Sequence, residues 1–545
     1  MADRAVLIDA GRRCITAGDW GAALEHLSAA QALGTLESDD LELLARSMWM
    51  LGRVVESLPV SEEAYRRLLA DGRRVDGAMS ALRISLLWFT RGDETVGRAW
   101  LARARRILGD EPDSPTHAYL AYLEVTVGMA ESAESWAPSS VQRLDELARR
   151  FPEPAVEALS LAVAGLAELQ AGRVRRGFAL LDEAMLPVLA EQVPEEWAGD
   201  IYCTTIHISS QIADFRRMEG WTAAMERWCS RFGSESIYTG ICRVHRLELR
   251  WAQGAWADAE ERIARQSADL ALGDPFVAGA GFTQLGEMRR MRGDVEGARQ
   301  AFARAREVGI DPQPGPAMLE LHVGDVEAAR AAIADALAAR GGAARVRLLR
   351  AAVEIAVAAG AHADAAALAS ELQEGAERYD SEGFRAWSEH AHGMVALARG
   401  ELSAALATLR AAETMFRRLR QPFETARMLA LIARTHEAAG QPQPAAAAQE
   451  QAHEILQRLG AVPIASDAAD DGADGAGHGA RIGPLTARET EVLARVALGD
   501  SNRDVAAQLF ISEKTVGRHL ANIYLKLGVG TRTAAAAWWH ERTRG

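Results

Sequence analysis

Lysine is almost missing. Of 61 Lys plus Arg residues in a chain of 545, two are lysines, Lys514 and Lys526. Residues 1–513 therefore offer no P-loop lysine, no kinase lysine, no Schiff-base lysine and no phospho-receiver lysine, which removes most ATP-driven and phospho-relay chemistries. Cysteine is also scarce: Cys14, Cys203, Cys229 and Cys242 show neither paired spacing nor the density of a small secreted scaffold, so free, mostly buried thiols are expected. No uncharged apolar run approaches the length of a membrane span, so no membrane partner is expected. The opening MADRAVLIDAGRRC carries acids and lacks a following apolar stretch with a small-residue cleavage site, which points to the cytoplasm. Paired carboxylates, a nucleophile elbow and a dinucleotide fingerprint are all absent in their required contexts, so the expectation is a non-enzyme with no cofactor.

What is present is length and an uneven charge. A chain of 545 residues exceeds what one compact core supports, so several domains or an array are expected. The whole chain carries −14, yet residues 481–545 hold ten Lys plus Arg against six Asp plus Glu. The segment 461–480 contains Asp467, Asp470, Asp471 and Asp474 and no basic residue. A basic tail thus follows an acidic body, a modest prior for nucleic acid at the tail.

The long amino-terminal region repeats itself. A turn-plus-helix pattern starts at Gly18 and recurs at Gly52, Gly92, Gly172, Gly254, Gly293, Gly324, Gly360, Gly400 and Gly440. Single gaps run from 31 to 40 residues, and two double gaps of 80 and 82 suggest weaker copies near Gly128 and Asp214, giving about twelve units. Five residues after each glycine the side chain is small: Ala23, Ser57, Gly97, Gly177, Ala259, Ala298, Ala329, Ala365, Ala405 and Ala445. Four residues further on, Leu27, Leu101, Leu181, Ile263, Phe302, Ile333 and Leu409 are bulky, which at helical spacing puts a small and a large residue on one buried face. Ser61, Gln266, Leu372 and Gln449 break the pattern. Each unit reads as a helical hairpin whose glycine ends the first helix in a left-handed cap. These offsets resemble the tetratricopeptide pattern over most of residues 1–460, and the resemblance implies an α-solenoid with an extended interaction surface; a generic helical-hairpin solenoid implies the same surface.

After Gly460, AVPIASDAADDGADGAGHGA has almost nothing large enough to bury and reads as a flexible acidic linker, 461–482. Residues 483–545 then read as four short helices near 487–498, 502–509, 513–527 and 532–542. Thr486 with Glu489 forms a capping box, Ser501 with Asp504 imitates one, Ser512 and Thr531 are candidate caps, and Gly499 and Gly528 are stops. The turn between the second and third helices is a few residues long, which is helix-turn-helix spacing. On the third helix Val516, Leu520, Ile523 and Leu527 share one arc and are expected to bury against Val492, Leu493, Val496, Val505, Ala506 and Leu509. The opposite arc presents Lys514, Arg518 and Ala521, flanked by Thr515 and Asn522, a donor-rich surface with small side chains suited to a major groove.

The stretch LTARETEVLARVALGDSNRDVAAQLFISEKTVGRHLANIYLKLGVGTR closely resembles the LuxR-type (NarL/FixJ) DNA-binding domain over its full length. The match includes Glu489, Gly499, Asn502, Ser512, Thr515, Val516, His519, Asn522, Lys526, Gly528 and Arg532; Gly517 and Leu525 depart from it. The resemblance implies that the third helix reads bases, with Asn502, Ser512, Lys514, Thr515, Arg518, Ala521, Asn522, Lys526 and Arg532 as the DNA-contacting set. It also implies that the last helix pairs two copies on a dyad operator. As a whole the chain resembles large LuxR-type regulators of the MalT kind without their nucleotidase module. Trp538 and Trp539 are read as core.

Two further clusters are discounted. Residues 201–260 gather Cys203, Cys229, Cys242, His207, His245 and several aromatics, but core packing accounts for them better than an effector pocket or zinc. The pair His390 and His392 reads as solvent-facing. The expectation is an all-α DNA-binding regulator of double-stranded DNA. Its repeat region, 1–460, senses a protein, peptide or small-molecule effector. The alternative is a helical scaffold whose terminal domain binds protein.

Overall fold

The computed structural model describes residues 3–131, 138–230, 237–256, 259–271, 275–462 and 487–508, then 516–517, 519–520, 523–524, 527, 529 and 531–543. Every regular element among them is helical. The contacts divide the chain into two compact units, Met1–Ala469 and Asp470–Gly545.

Among the described residues the first unit is a run of twelve antiparallel helical hairpins. They are α1 (Arg4–Thr16) with α2 (Trp20–Leu33), α3 (Ser38–Met50) with α4 (Val54–Ala70), α5 (Arg74–Thr90) with α6 (Glu94–Leu108), and α7 (Pro115–Glu131) with α8 (Pro138–Arg150). Next come α9 (Pro154–Gln170) with α10 (Val174–Leu189), α11 (Glu195–Gln211) with α12 (Phe215–Cys229), α13 (Ile237–Ala252) with α14 (Ala259–Leu270), and α15 (Pro275–Met291) with α16 (Val295–Glu307). The last four pairs are α17 (Gly315–Val323) with α18 (Val326–Ala338), α19 (Gly342–Ala358) with α20 (His362–Tyr379), α21 (Glu382–Ala398) with α22 (Leu402–Arg418), and α23 (Pro422–Ala438) with α24 (Pro442–Leu459).

The hairpin turn explains the glycine. All ten starting glycines have positive φ, from 68° at Gly440 to 93° at Gly254. At the first of them Gly18 N donates to Ile15 O (2.9 Å) and Asp19 N donates to Cys14 O (2.9 Å), so the last carbonyls of α1 are satisfied by a left-handed cap. Asp19 then accepts from Ala22 N (3.0 Å) and caps α2. One Gly-Asp pair therefore stops one helix and starts the next. Asp294 and Asp325 repeat the device after Gly293 and Gly324. The sixth hairpin, which has no glycine there, uses Ala213, at φ 56°, followed by the capping Asp214.

The small residue five positions on is buried in all ten copies. Its reason is clearest between α9 and α10, where a Cβ on Gly177 would stand 2.8 Å from Gly165 O and one on Gly165 would stand 2.8 Å from Gly177 O. Backbone meets backbone there, and any larger residue would push the pair apart. The bulky residue that follows fills the adjacent hole; Leu27 and Leu409 have no exposed surface, and burial of each contributes roughly 1.5–3 kcal/mol. Of the residues that break the pattern, Leu372 is fully buried, Ser61 and Gln266 are half-buried, and Gln449 is exposed on α24, the last helix of the array.

Three expectations change. Gly128 lies inside α7, which runs on to Glu131, so this glycine does not end the helix. His390 is fully buried rather than solvent-facing, and His392 is half-buried with its Nδ1 2.9 Å from Ser388 O. The cause is their position on α21, a first helix, which is covered on the inner side of the coil. The free thiols are less buried than expected: Cys229 is buried, while Cys14 and Cys203 are half-buried. The side chains of Cys242 and His245 lie outside the described residues.

Within this unit the array coils until distant hairpins touch. Arg46 on α3 and Arg83 on α5 both bond Glu196 on α11, and Arg427 on α23 bonds Glu354 on α19 at 2.8 and 3.2 Å. Trp256, just before α14, packs on Phe423 of α23 with ring centroids 5.6 Å apart, and Val462 N donates to Met291 O (2.8 Å). Repeats of this kind bury little alone, so inner-face closure supplies contacts that nearest-neighbour stacking does not. No helix of the described residues is long and apolar enough to cross a membrane.

Candidate nucleic-acid interface

The second unit is built on its caps. Helix α25 spans Ala487–Ala497, and Gly499 follows it at φ 95°. Ser501 N donates to Asp504 Oδ2 (3.2 Å), Ser501 Oγ donates to the same oxygen (2.6 Å), and Asp504 N donates to Ser501 Oγ (3.3 Å). That reciprocal box starts α26, Asn502–Gln508, and the Ser501 bonds hold the exposed Asp504 carboxyl below its ordinary range. Thr531 Oγ1 accepts from Ala534 N (3.2 Å) and opens the last helix, α27, Arg532–Thr543.

Hydrophobic spacing then fixes how these elements pack. Val492, Leu493 and Val496 from α25, Val505 and Ala506 from α26, and Ala535 from α27 are all buried in one cluster. Val516, Leu520 and Ile523 join it from helical backbone between α26 and α27, with Leu527, Trp538 and Trp539 half-buried against it. The expected inward face of the third helix is therefore the observed one at these positions, and both tryptophans pack on the core. The expected contact with Leu509 lies outside the described residues.

Two members of the expected DNA-contacting set are brought together. Arg532, at the start of α27, donates through NH1 to Asn502 Oδ1 (2.8 Å) and through NH2 to Asp500 O. It thus ties the loop after α25 and the first turn of α26 to α27, a clamp that the residue types alone did not announce. His540 makes a second tie, its Nε2 lying 3.1 Å from Ala497 O. Accepting from Arg532 fixes the Asn502 carboxamide, so its NH₂ donors point away from the clamp. Ser512, Lys514, Thr515, Arg518, Ala521, Asn522 and Lys526 lie outside the described residues, as do Thr486, Leu525 and Gly528.

Gly517 is described: it is helical, and a Cβ added there would meet nothing within 4 Å. Gly517→Ala is accordingly expected to raise the stability of this unit by about 1 kcal/mol through helix propensity alone. Urea unfolding followed by circular dichroism checks this, and an unchanged or lowered midpoint would show that the position is not free space.

A short helical domain of this construction, with a capped second helix followed by helical backbone whose Val516, Leu520 and Ile523 are buried against it, defines a helix-turn-helix protein carrying a tetratricopeptide-like hairpin array. Residues 483–539 match the family described as bacterial regulatory proteins, luxR family, so the carboxy-terminal unit contains a LuxR-type helix-turn-helix domain. The chain is 45% identical over 60 residues to the CsgBAC operon transcriptional regulatory protein of Escherichia coli (strain K12), covering 11% of this chain and 28% of that protein. It is 56% identical over 52 residues to the uncharacterized transcriptional regulatory protein YhcZ of Bacillus subtilis (strain 168), covering 10% and 24%. It is 50% identical over 60 residues to a nitrate/nitrite response regulator protein homolog of Haemophilus influenzae, covering 11% and 29%. The chain thus spans less than a third of the length of these curated relatives. The array overlays a solved Rap protein, complexed with competence and sporulation factor, at 12% identity and a TM-score of 0.37, covering 71% of this chain and 99% of that one. An overlay that loose carries no argument about function.

Proposed function

We propose that this chain is a sequence-specific regulator of transcription, in which the LuxR-type domain engages double-stranded DNA and the hairpin array receives the effector that controls it. The observation that carries the reading is the burial of Val516, Leu520 and Ile523 on one side of the third helix of a domain matching this family. At 100° per residue, Arg518 falls about 200° round from Val516, and Lys514, Ala521 and Asn522 lie on the same outer arc. Those side chains, with Thr515, are assigned to base edges in the major groove. Ser512 and Asn502, at helix starts, and Lys526 are assigned to phosphates. Arg532 supports that surface by holding Asn502. Pairing of two copies through α27 on a dyad operator belongs to the same proposal, as do boundaries of 1–460 for the array, 461–482 for the linker and 483–545 for the DNA-binding domain.

The test is the salt dependence of binding by the full chain to an operator duplex. Counterion release makes log K fall linearly with log salt, and Lys526→Ala, which removes one phosphate contact, is expected to shallow that slope by about one unit. A slope unaltered by Lys526→Ala, or no salt dependence at all, would show that the basic face does not meet the DNA backbone.

A further inference from the structure

On the inner side of the array, the first helices of the seventh, eighth, tenth, eleventh and twelfth hairpins, with the start of α12, line a half-open cavity of about 160 Å³. A half-open space of that size admits a small molecule such as an amino acid. Its walls include Trp251 and Trp387, and its charged lining comes from three glutamates and two arginines. Most of those charges are already matched. Glu287 pairs with Arg290 at 2.7 Å, and Glu424 pairs with Arg350 at 2.7 Å. Behind them Arg427 is taken by Glu354 at 2.8 Å.

Glu248 and Arg347 are left over. They face the same cavity, and among the described residues neither makes an ion pair within 4 Å. Arg347 donates only to a backbone carbonyl, Ser210 O at 2.5 Å, and its guanidinium lies 6.0 Å from the centre of the Trp387 ring. Glu248 accepts from Gln284 Nε2 at 3.2 Å, which leaves Gln284 Oε1 beside it as a buried acceptor without a partner. Trp251 Nε1 is a buried donor likewise without one. Burial pushes the Glu248 carboxyl up to about 7 despite the attraction of Arg347, and burial lowers Arg347 despite the attraction of Glu248. Burial thus disfavours the charged form of both groups, and each would be stabilised in that form by an opposite charge brought against it.

A simple carboxylate would satisfy Arg347 and be repelled by Glu248; a simple amine would do the reverse. We propose that the cavity binds a small zwitterion with an apolar body, of the α-amino-acid class, its carboxylate held by Arg347 and its ammonium by Glu248 with Gln284 Oε1. The body lies against the indole walls, and Trp251 Nε1–H is a further donor for the carboxylate. This rests on the reading that the array is the effector-receiving part. It adds the ligand class and a consequence: a bound zwitterion draws α13, α15 and α19 onto one small molecule and so stiffens three hairpins together.

The test uses the full chain without DNA. Each of the common L-amino acids is added separately at about 10 mM and the thermal midpoint is read, because any ligand of the folded state raises it. For those that raise it, affinity is measured calorimetrically alongside the N-acetyl and the amide derivative, each lacking one charge. The expected result is stabilisation by at least one apolar amino acid, with both derivatives binding at least about tenfold more weakly. Glu248→Gln and Arg347→Gln, checked for unchanged helicity, are each expected to lose at least about tenfold. No stabilisation by any amino acid, or derivatives that bind as well as the free form, overturns the proposal without needing either variant. Because duplex is absent, failure here leaves the DNA-binding reading standing, and a chain that takes the amino acid but no duplex sinks that reading alone.

Discussion

Replacing Glu196 with alanine is expected to destabilise the array by about 3 kcal/mol, the low end of the range for removing one partner of a buried ion pair, because both of its arginines keep a second carboxylate. Glu196 is 2% exposed on α11 and sits between two guanidinia: Arg83 Nε lies 2.8 Å from Oε1, and Arg46 NH2 lies 3.1 Å from Oε2. Arg46 also reaches Glu195 and stacks 5.7 Å from the Trp20 ring, and Arg83 reaches Glu42 at 2.7 Å, so the cluster joins hairpins one, two, three and six. Removing Glu196 leaves Arg46 with Glu195 and Arg83 with Glu42, no carboxylate bridges the two guanidinia, and the first half of the coil loses its closure. A contrast makes the measurement interpretable. Glu261 is paired with Arg265 at 3.7 Å on the open face of α14, where both side chains are mostly exposed, and Glu261→Ala is expected to cost under about 1 kcal/mol.

The same cluster sets a pH dependence. Burial raises the Glu196 carboxyl, but Arg46 and Arg83 more than reverse this and hold it at about 2, against an ordinary value of 4.5. A group whose folded value is depressed contributes its stability above the unfolded value and loses it as pH falls through the folded one. The contribution is therefore complete above about pH 4.5 and drains away toward pH 2. Unfolding free energies of the parent and of Glu196→Gln across that window should converge on the acid side. Parallel curves would mean that Glu196 is not the ionised centre of the closure.

The second large effect concerns DNA. Arg518→Ala is expected to weaken operator binding by about 1 to 3 kcal/mol and to relax selectivity at one base pair, the signature of a lost bidentate contact to guanine. Lys526→Ala, by contrast, should lower affinity evenly across sequences. Competition binding against operator variants, each altered at one position, separates the two. If Arg518→Ala weakens all sequences equally, Arg518 is a phosphate contact and the base-reading role moves elsewhere on the arc.

How much of this was legible in the residues depends on how local the physics is. A hairpin turn is decided within six residues, so Gly18 and its nine counterparts, with the small and large residues that follow, announced the hairpins and their buried faces. Ala213 shows the limit of that rule, since an alanine took the left-handed position and only Asp214 marked the turn. Gly128 shows another, since a glycine inside a helix looks the same as one that ends it. The coil itself left no periodic trace: Arg46 and Glu196 are 150 residues apart, and nothing at either position states the superhelical pitch that makes them meet. For the same reason the sequence around His390 reads as solvent-facing, although closure buries it. In the terminal domain the caps and the apolar arc were legible because both are local patterns. The Arg532–Asn502 clamp joins the start of one helix to the start of another and was visible only as two polar residues in a family motif.

The central claim is that the outer arc of the third helix reads a defined DNA sequence. Its most direct test is selection of duplexes from a fully random pool by the full chain, followed by sequencing of what is retained. Enrichment of one motif arranged as two dyad-related half-sites, lost with Arg518→Ala, is the predicted result. Recovery of sequences with no shared motif, under salt conditions where the chain is folded, would contradict it.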